Sequence, residues 1–212
     1  AIVQYTDKHI SDALDIEFEY IPEKLSSTDI PEDGICINVG QSRTYFIDDI
    51  TGHIWMPDKA YEEGNYGHNN GDYHRHWPHM KAWEGIREGV GQNIKGTALD
   101  PVCQTFLKGV TEYIVDVTEG EYEVTLVFAE PFSDEKRKQE PLTSGVGEDG
   151  ERIFDVKVNG RTIFENLNLS NQFGVSVAVN RSTRIHADKG IQILLIPKKG
   201  KTILNGIKIR KL

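Results

Sequence analysis

Gly120–Phe132, with the sequence Gly-Glu-Tyr-Glu-Val-Thr-Leu-Val-Phe-Ala-Glu-Pro-Phe, carries the clearest structural signal in the chain. Its side chains alternate with a period of two, and β-branched and aromatic residues are frequent, which predicts a β-strand. One face presents large apolar side chains, namely Tyr122, Val124, Leu126 and Phe128. The other face is small or apolar from Thr125 onward, so we expect a central strand of a sandwich. Pro131 should end the strand, because proline cannot donate a hydrogen bond to a neighbouring strand.

Strand-like segments recur through the rest of the chain. They cover residues 35–40, 45–47, 54–56, 102–107, 112–117, 153–158, 161–164, 173–179, 183–187, 191–196 and 202–212. Asn159-Gly160 separates two alternating segments, which is the strongest short signal for a β-hairpin. Two long loops, 57–79 and 133–152, interrupt the strands, and an ambiguous helical pattern covers 78–90. This order predicts an all-β protein, an antiparallel β-sandwich with long loops.

The first 33 residues differ in composition from the rest of the chain. They contain nine Asp or Glu and two Lys, and a short run within them, Leu14 to Tyr20, alternates apolar with acidic residues. We interpret residues 1–33 as an acidic leader, a linker or the tail of a preceding domain. One extra strand packed on the domain is the alternative. Residues 34–212 form the predicted sandwich domain.

The overall composition limits the classes of partner. The chain has 212 residues, 38% of them hydrophobic, which is enough for a sizeable core. Its formal net charge of −9 argues against a sequence-independent nucleic-acid binder and against binding to an anionic membrane. No apolar run approaches the length of a membrane-spanning helix, so we expect no membrane insertion. Cys36 and Cys103 lie in apolar segments, and we interpret them as buried free thiols rather than a disulfide.

Catalysis by this chain alone has little support in the sequence. No Gly-x-Ser-x-Gly, His-Glu-x-x-His or phosphate-binding glycine motif is present. Acidic residues are numerous, so a carboxylate pair for glycoside hydrolysis is the alternative left open. Most of these residues alternate along predicted strands or lie within 1–33, which is typical of solvent-facing surfaces.

Metal binding is a second alternative. Four of the seven histidines fall within twelve positions, namely His68, His74, His76 and His79. His74-x-His76 would present two imidazoles on one side of a strand to zinc or copper. The Asp48-Asp49 turn offers carboxylates for a structural calcium ion. We favour a polar loop whose histidines hydrogen-bond locally or face water, and we predict no cofactor.

The aromatic residues of the first long loop favour carbohydrate binding. Sugars are held by aromatic faces that stack on C–H surfaces and by planar polar side chains that bind hydroxyls. The region 61–83 supplies both kinds: Tyr61, Tyr66, Tyr73, Trp77 and Trp83, with Asn65, His68, Asn69, Asn70, Asp72 and Arg75 among them. Loop aromatics are less easily explained as core than strand aromatics. The alternative is that several fold back as a small cluster beneath the loop.

Several further motifs follow one another in a defined order. They are Ile37-Asn38-Val39-Gly40, Asn65-Tyr66-Gly67, Gly96-Thr97, Asp100-Pro101-Val102, Gln104-Thr105, Phe128-Ala129-Glu130, Phe154-Asp155-Val156-Lys157-Val158-Asn159-Gly160 and Ile203-Leu204-Asn205-Gly206-Ile207. In this order they resemble malectin and the malectin-like carbohydrate-binding modules of family 57, over residues 34–212.

The resemblance implies a galactose-binding-like β-sandwich, a jelly roll that binds carbohydrate through aromatic loops at one end. It also implies a secreted or periplasmic setting, because such modules are often appended to bacterial β-galactosidase-type glycoside hydrolases. The expected partners are then a carbohydrate ligand and the rest of the parent hydrolase. A module that only braces its parent enzyme, with its aromatics packed against a neighbouring domain, is the alternative function.

The resemblance carries over to the site residue by residue. Tyr66 matches the sugar-contacting Tyr-Gly of malectin's first long loop, and Phe132 matches the first of two aromatics after Phe-Ala-Glu. Three other positions do not match malectin. Its second aromatic is replaced by Ser133, its further tyrosine by Lys108 and its late aspartate by Gly200. The carry-over therefore leaves the identity of the sugar open. Further contacts with sugar are expected from His68, Asn69, Asp72, Tyr61 and Trp77.

Overall fold

The computed structural model describes residues 34–76, 87–139 and 150–212, and two large β-sheets dominate it. The six-stranded sheet contains, from edge to edge, β13 (Ala178–Ala187), β10 (Gly120–Ala129), β16 (Gly206–Lys211), β1 (Ile35–Asn38), β3 (Ile54–Pro57) and β2 (Phe46–Ile47). The five-stranded sheet contains β12 (Arg161–Leu167), β11 (Ile153–Val158), β14 (Ile191–Lys199), β9 (Glu112–Val115) and β4 (Tyr66–His68). Smaller sheets join β15 (Ile203–Leu204), β8 (Leu107–Lys108) and β5 (Asp72–Tyr73), and β6 (Arg75–His76) with β7 (Arg87–Glu88). The short helices are α1 (Asp100–Gln104), α2 (Asp134–Gln139) and α3 (Leu169–Gln172).

Most strand pairs are antiparallel, and β1 with β3 is a parallel pair. The predicted all-β, antiparallel sandwich is therefore confirmed. β1 and β16 are antiparallel neighbours, with Ile35 opposite Ile209 and Asn38 opposite Gly206.

The strand predicted first, β10, lies in the middle of its sheet. It pairs with β13 along ten residues and with β16 along six. Tyr122 is 1% exposed, and the other three large apolar residues of the inner face are 0% exposed. On the opposite face Val127 and Ala129 are buried as well. The predictions for this stretch are confirmed, since the strand is central, is covered in part on its second face and ends two residues before Pro131.

A second, smaller core covers part of the outer face of the six-stranded sheet. Its members are Cys36, Trp55, Ile94, Val102, Cys103, Val127 and Ala129. Both cysteines are buried free thiols, as predicted. The predicted strand 102–107 is wrong in its first half, because residues up to Gln104 belong to α1. Pro101 lies in the first turn of α1, where its missing N–H leaves no bond unmade and its fixed φ favours a helix.

A buried amide joins three segments near the ends of β1 and β10. Asn205, 0% exposed, lies between β15 and β16. Its Nδ2 donates to the carbonyls of Cys103 and Thr105, each at 2.9 Å, and its Oδ1 accepts from the Ala129 amide at 2.8 Å. The end of α1 and the end of β10 are therefore held against the start of β16.

The hairpin predicted at Asn159-Gly160 is confirmed. β11 and β12 pair on either side of it, and the two turn residues have φ values of 44° and 78°. Positive φ at both positions is what a type I′ turn requires.

Two sequence predictions differ from the structure or fall outside it. The predicted strand 173–179 begins only at Ala178, because α3 and a loop precede it. In the ambiguous helical pattern over 78–90, Arg87–Glu88 form β7. Residues 77–86, like the leader 1–33, lie outside the described residues. No helix within the three described segments is long and apolar enough to span a membrane.

The core position of Leu126 can be tested by truncation. Leu126→Ala should lower the free energy of unfolding by about 2–5 kcal/mol, because it leaves a cavity in the core. Urea denaturation measures this loss. The control is Thr125→Ala on the opposite face, which removes a hydroxyl contact with Ser182 (2.7 Å) and should cost about 1 kcal/mol. Equal losses in the two variants would contradict the core assignment.

Candidate functional site

The predicted site residues fall into two groups on the sandwich. β1, β3 and β10 run toward one end of it, and β13 and β16 begin there. We call this the loop end, and it includes residues 39–45, 130–139 and 168–177. Phe132 lies at the loop end. Tyr66 and His68 lie on β4, the edge strand of the five-stranded sheet.

Phe132 is part of an aromatic group rather than an open platform. Its side chain is 7% exposed. Its ring centre lies 5.4 Å from that of His74 and 6.4 Å from that of Phe106. His74 and Phe106 are themselves stacked at 4.7 Å. The ammonium group of Lys136 lies 5.0 Å from the centre of the Phe132 ring, so it covers part of one face.

A buried ion cluster determines the path of the chain around Phe132. Glu130, Arg137 and Arg152 are all at least 95% buried, at 1%, 2% and 4% exposure. The Glu130 carboxylate lies 2.9 Å from the Arg137 guanidinium and 3.1 Å from that of Arg152. Arg137 also donates to the carbonyls of Phe132 and Gly150, each at 2.7 Å. The Phe-Ala-Glu motif thus ends in a carboxylate that anchors both flanks of this loop.

Tyr66 is buried against the chain that leads into β4. It is 4% exposed, and its hydroxyl donates to the carbonyl of Pro57 at 2.9 Å. The ammonium group of Lys59 lies 4.3 Å from its ring centre. The next residue must be glycine, because a Cβ on Gly67 would approach the Tyr61 nitrogen to 2.5 Å. The Tyr-Gly pair is therefore explained locally by close packing of β4 on residues 59–61.

A buried carboxylate, Asp58, lies beside this group. It is 2% exposed and accepts hydrogen bonds from the amides of Gly40 and Lys59 at 2.9 and 2.8 Å, and from the Tyr113 hydroxyl at 2.8 Å. Burial raises the pKa of Asp58 to about 7, despite the three hydrogen bonds that favour the charged form. The same burial, with the nearby Asp58 charge, raises the pKa of the Tyr66 hydroxyl. Asp58 connects the loop after β1 to β9 of the five-stranded sheet.

The predicted polar residues differ in accessibility. His68 is buried and its Nε2 lies 3.1 Å from the Tyr73 hydroxyl, and burial lowers its pKa. Asn69 is exposed and donates to the Glu112 carboxylate. Asp72 is also exposed, 3.5 Å from Lys201. Half-buried Tyr61 donates to the Asp116 carboxylate at 3.0 Å, and Trp77 lies outside the described residues.

Tyr73 and His74 are consecutive residues, and they contact His68 on β4 and Phe132 at the loop end, respectively. The ring of Tyr73 packs edge-on against His68, with 5.6 Å between centres. The ring of His74 contacts Phe132. The structure thus brings His68 near Tyr73, and Tyr66 and Phe132 are both members of the main hydrophobic core. Among the aromatics of 61–83, Tyr66 is buried in the core, as the alternative of aromatics folded beneath the loop expects.

The described side chains that were candidates for metal binding make other contacts in the structure. Within the three described segments, no group of three or more His, Cys, Asp or Glu side chains is placed to hold a metal ion. His74 is stacked on Phe106, and His79 is outside the described residues. The Asp48 carboxylate accepts from the Ile50 amide at 3.0 Å and from the Thr51 hydroxyl, and these bonds lower its pKa.

Two exposed aromatics at the loop end were missed by the sequence reasoning. Phe173 is 44% exposed on the loop after α3, and Tyr45 is 49% exposed just before β2. The Phe173 loop is tied to the end of β10, because the Ser176 amide donates to the Glu130 carbonyl at 2.8 Å. Asn168 caps α3 by accepting from the Asn171 amide at 3.1 Å. In the sequence, Asn168 and Asn171 are three positions apart and precede Phe173-Gly174. This pattern is typical of a capped helix followed by a loop, and it could have replaced the prediction of a strand.

Comparison with known proteins places this arrangement in context. A family model for the malectin domain matches residues 34–206. The chain is similar to a Bacteroides uniformis β-glucuronidase, with 26% identity and a TM-score of 0.66, over 84% of this chain and 18% of that one. A calcium-binding mutant of Bacteroides uniformis β-glucuronidase 2 gives 25% identity and a TM-score of 0.70, over 91% of this chain and 20% of that one. This chain thus spans about a fifth of the length of these enzymes.

A more distant likeness concerns the fold alone. The ANX1 ectodomain from Arabidopsis thaliana has 13% identity and a TM-score of 0.52, over 82% of this chain and 47% of that one. No curated protein sequence gives a significant match to this chain.

The buried Asp58 predicts a pH dependence of stability. Its folded-state pKa of about 7 lies above the ordinary value of 3.8, so between about pH 4 and pH 7 the native state holds a proton that the unfolded chain has released. The free energy of unfolding should therefore fall as pH rises through this window, by about 2–4 kcal/mol from this group. Urea denaturation at several pH values measures the slope.

Asp58→Asn is the matched control for this slope, because an amide does not titrate. Its stability should vary less between about pH 4 and pH 8 than that of the original chain. His68 contributes the opposite slope, since its pKa is lowered, and the comparison of the two proteins cancels it. Identical slopes would contradict a raised pKa for Asp58.

The ion cluster predicts a large cost for removing one arginine. Arg137→Met should lower the free energy of unfolding by about 3 kcal/mol, because Glu130 would keep its buried charge with one cation fewer. Lys136→Met, an exposed neighbour on the same helix, should change it by less than about 1 kcal/mol. Chemical denaturation compares the two variants. A small effect of Arg137→Met would show that the cluster does not hold the loop.

Proposed function

Because this chain belongs to the malectin family, we propose that it is a non-catalytic carbohydrate-binding module of a larger, secreted or periplasmic glycoside hydrolase. The family match over residues 34–206 carries this proposal. The likeness to β-glucuronidases, of which this chain spans about a fifth, supports a place within a hydrolase. In this role the chain binds oligosaccharide or polysaccharide, and the parent enzyme performs the chemistry.

The loop end supplies a surface suited to this role. A pyranose ring needs an open aromatic face with hydrogen-bonding side chains nearby. Phe173 offers an exposed ring, and the adjacent Asn171 and Gln172 are exposed amides. Tyr45 offers a second exposed ring on the loop between β1 and β2. We place the principal sugar contact at Phe173.

Direct stacking of sugar on Tyr66 and Phe132 would require movement of the side chains that cover their rings. At 4% and 7% exposure neither ring has a free face, so a ligand would have to displace the lysine ammonium groups that lie over them. Exposed Asn69 and Asp72 and the half-buried Tyr61 are accessible for hydrogen bonds to hydroxyls. With His68 and Trp77 they remain the predicted contacts of a second part of the site.

A bracing module is the second candidate, and the burial of Tyr66 and Phe132 favours it. A module without a ligand has no need of open aromatic faces. It would use an exposed apolar surface to pack on a neighbouring domain, and the edge strand β2 and its turn expose Ile47 and Ile50 at 48% and 75%. Binding of sugar separates the two candidates.

The test is a glycan array with the full chain, followed by calorimetric titration of any hit. Neutral oligosaccharides should bind, and Phe173→Ala should weaken binding up to about tenfold through loss of the stacking ring. Ile50→Ala is the control, because it removes an exposed apolar side chain from the other end of the sheet.

Two other results have defined meanings. A hit that survives Phe173→Ala and is lost in the Tyr66→Ala, Phe132→Ala double variant would move the site to the buried rings. That double variant needs a check of its folding by urea denaturation, since both rings are in the core. A blank array with a folded chain would overturn carbohydrate binding and leave the bracing role.

A further inference from the structure

A polar cleft opens at the side of the sandwich where the two large sheets have their edges. β13 is the edge strand of the six-stranded sheet, and β12 is the edge strand of the five-stranded sheet. The cleft has a volume of about 400 Å³, which is within the range of small-molecule sites. Its lining consists of Glu123, Arg161, Ser182, Thr183 and Arg184. These residues lie on strands, apart from the loop end.

Positive charge is concentrated at this cleft in a chain of net charge −9. The Arg184 side chain is 72% exposed, and its Nε lies 3.8 Å from the Glu123 carboxylate. Glu123 also pairs with Arg210, at 2.9 Å. Arg181, next to Ser182 on β13, lies over the ring of Phe164 on β12, 4.9 Å from its centre. Glu123 is thus shared between two arginines, and the lining itself contains two arginines and one carboxylate.

The cationic groups are partly fixed in place before any ligand arrives. The Arg161 guanidinium donates from NH1 to the carbonyl of Arg184 at 3.1 Å, which links the start of β12 to β13. An arginine held in this way loses less conformational entropy when it binds. The Ser182 hydroxyl, 2.7 Å from that of Thr125, is on the same face of β13 as Arg184 and supplies a neutral hydrogen-bonding group.

We propose that this cleft binds an acidic saccharide, with Arg161 and Arg184 holding the carboxylate of a uronic acid residue. Planar guanidinium groups match a carboxylate with paired, charge-assisted hydrogen bonds, and hydroxyl side chains suit the sugar hydroxyls around it. A free oxyanion shares the charge but would leave the Ser182 hydroxyl beside Arg184 unused. This inference rests on the proposed carbohydrate-binding function and adds a second site to it.

The test is calorimetric titration of the full chain with three probes: a uronic acid trisaccharide, a neutral trisaccharide of the same linkage, and sodium sulfate. The acidic trisaccharide should bind, and its affinity should fall as sodium chloride is raised, because exposed charges are screened. Arg161→Gln and Arg184→Gln should each weaken it about tenfold and leave binding of the neutral probe unchanged. Lys189→Gln, an exposed cation on the turn after β13, is the control and should have no effect.

The other outcomes separate this inference from the proposed function. Binding of neutral but not acidic saccharide would overturn the inference and leave the function standing. Sulfate binding with the same arginine dependence, without uronate binding, would reduce the cleft to an oxyanion site and overturn the saccharide assignment. Equal losses in Lys189→Gln would indicate general attraction by charge and overturn the inference as well. Failure of every saccharide would overturn both, and urea midpoints check that each variant is folded.

Discussion

The amide of Asn205 is the interior contact on which the loop end depends. It satisfies two carbonyls at the end of α1 and the last amide of β10, and buried backbone groups of this kind are costly to leave without a partner. Since the amide fixes Ala129, it also fixes the next residue, Glu130, whose carboxylate meets the two buried arginines. The position of Phe132 follows from that cluster. A single side chain near the C-terminus thus sets the geometry of loops far away in sequence.

The sequence was sufficient for those parts of the fold that depend on local pattern. β10 and the β11–β12 hairpin are predicted by period-two alternation and by Asn159-Gly160, and both of these signals are local in the sequence. The segment 102–107 shows the limit of this reasoning, since its apolar residues are as compatible with a strand as with one turn of helix. Which structure forms depends on the outer face of β10, where Val102 and Cys103 complete a second core. Burial of this outer face depends on contacts between residues that are far apart in the sequence.

The candidate site was less predictable because the direction of a loop side chain is decided by partners elsewhere in the chain. The sequence places Tyr66 and Phe132 in loop segments, where aromatic residues predict an open binding surface. In the structure His74 and Phe106 pack against Phe132, and Pro57 and Lys59 pack against Tyr66. Phe173 was placed in a strand and is exposed on a loop instead. The sequence predicts that the region carries aromatic and polar side chains. Only the packing shows which of its rings are buried and which are exposed.

The pairing of β1 with β16 has a consequence for how the domain can be attached to anything larger. Ile35 and Ile209 face each other at the end opposite the loop end, so the first and last strands of the described residues are antiparallel neighbours. A host protein can accept such a domain at a single narrow point, without separating its own strands or helices. The exposed rings of Phe173 and Tyr45 lie at the opposite end of the sandwich, so a connection made beside Ile35 and Ile209 would leave both rings uncovered.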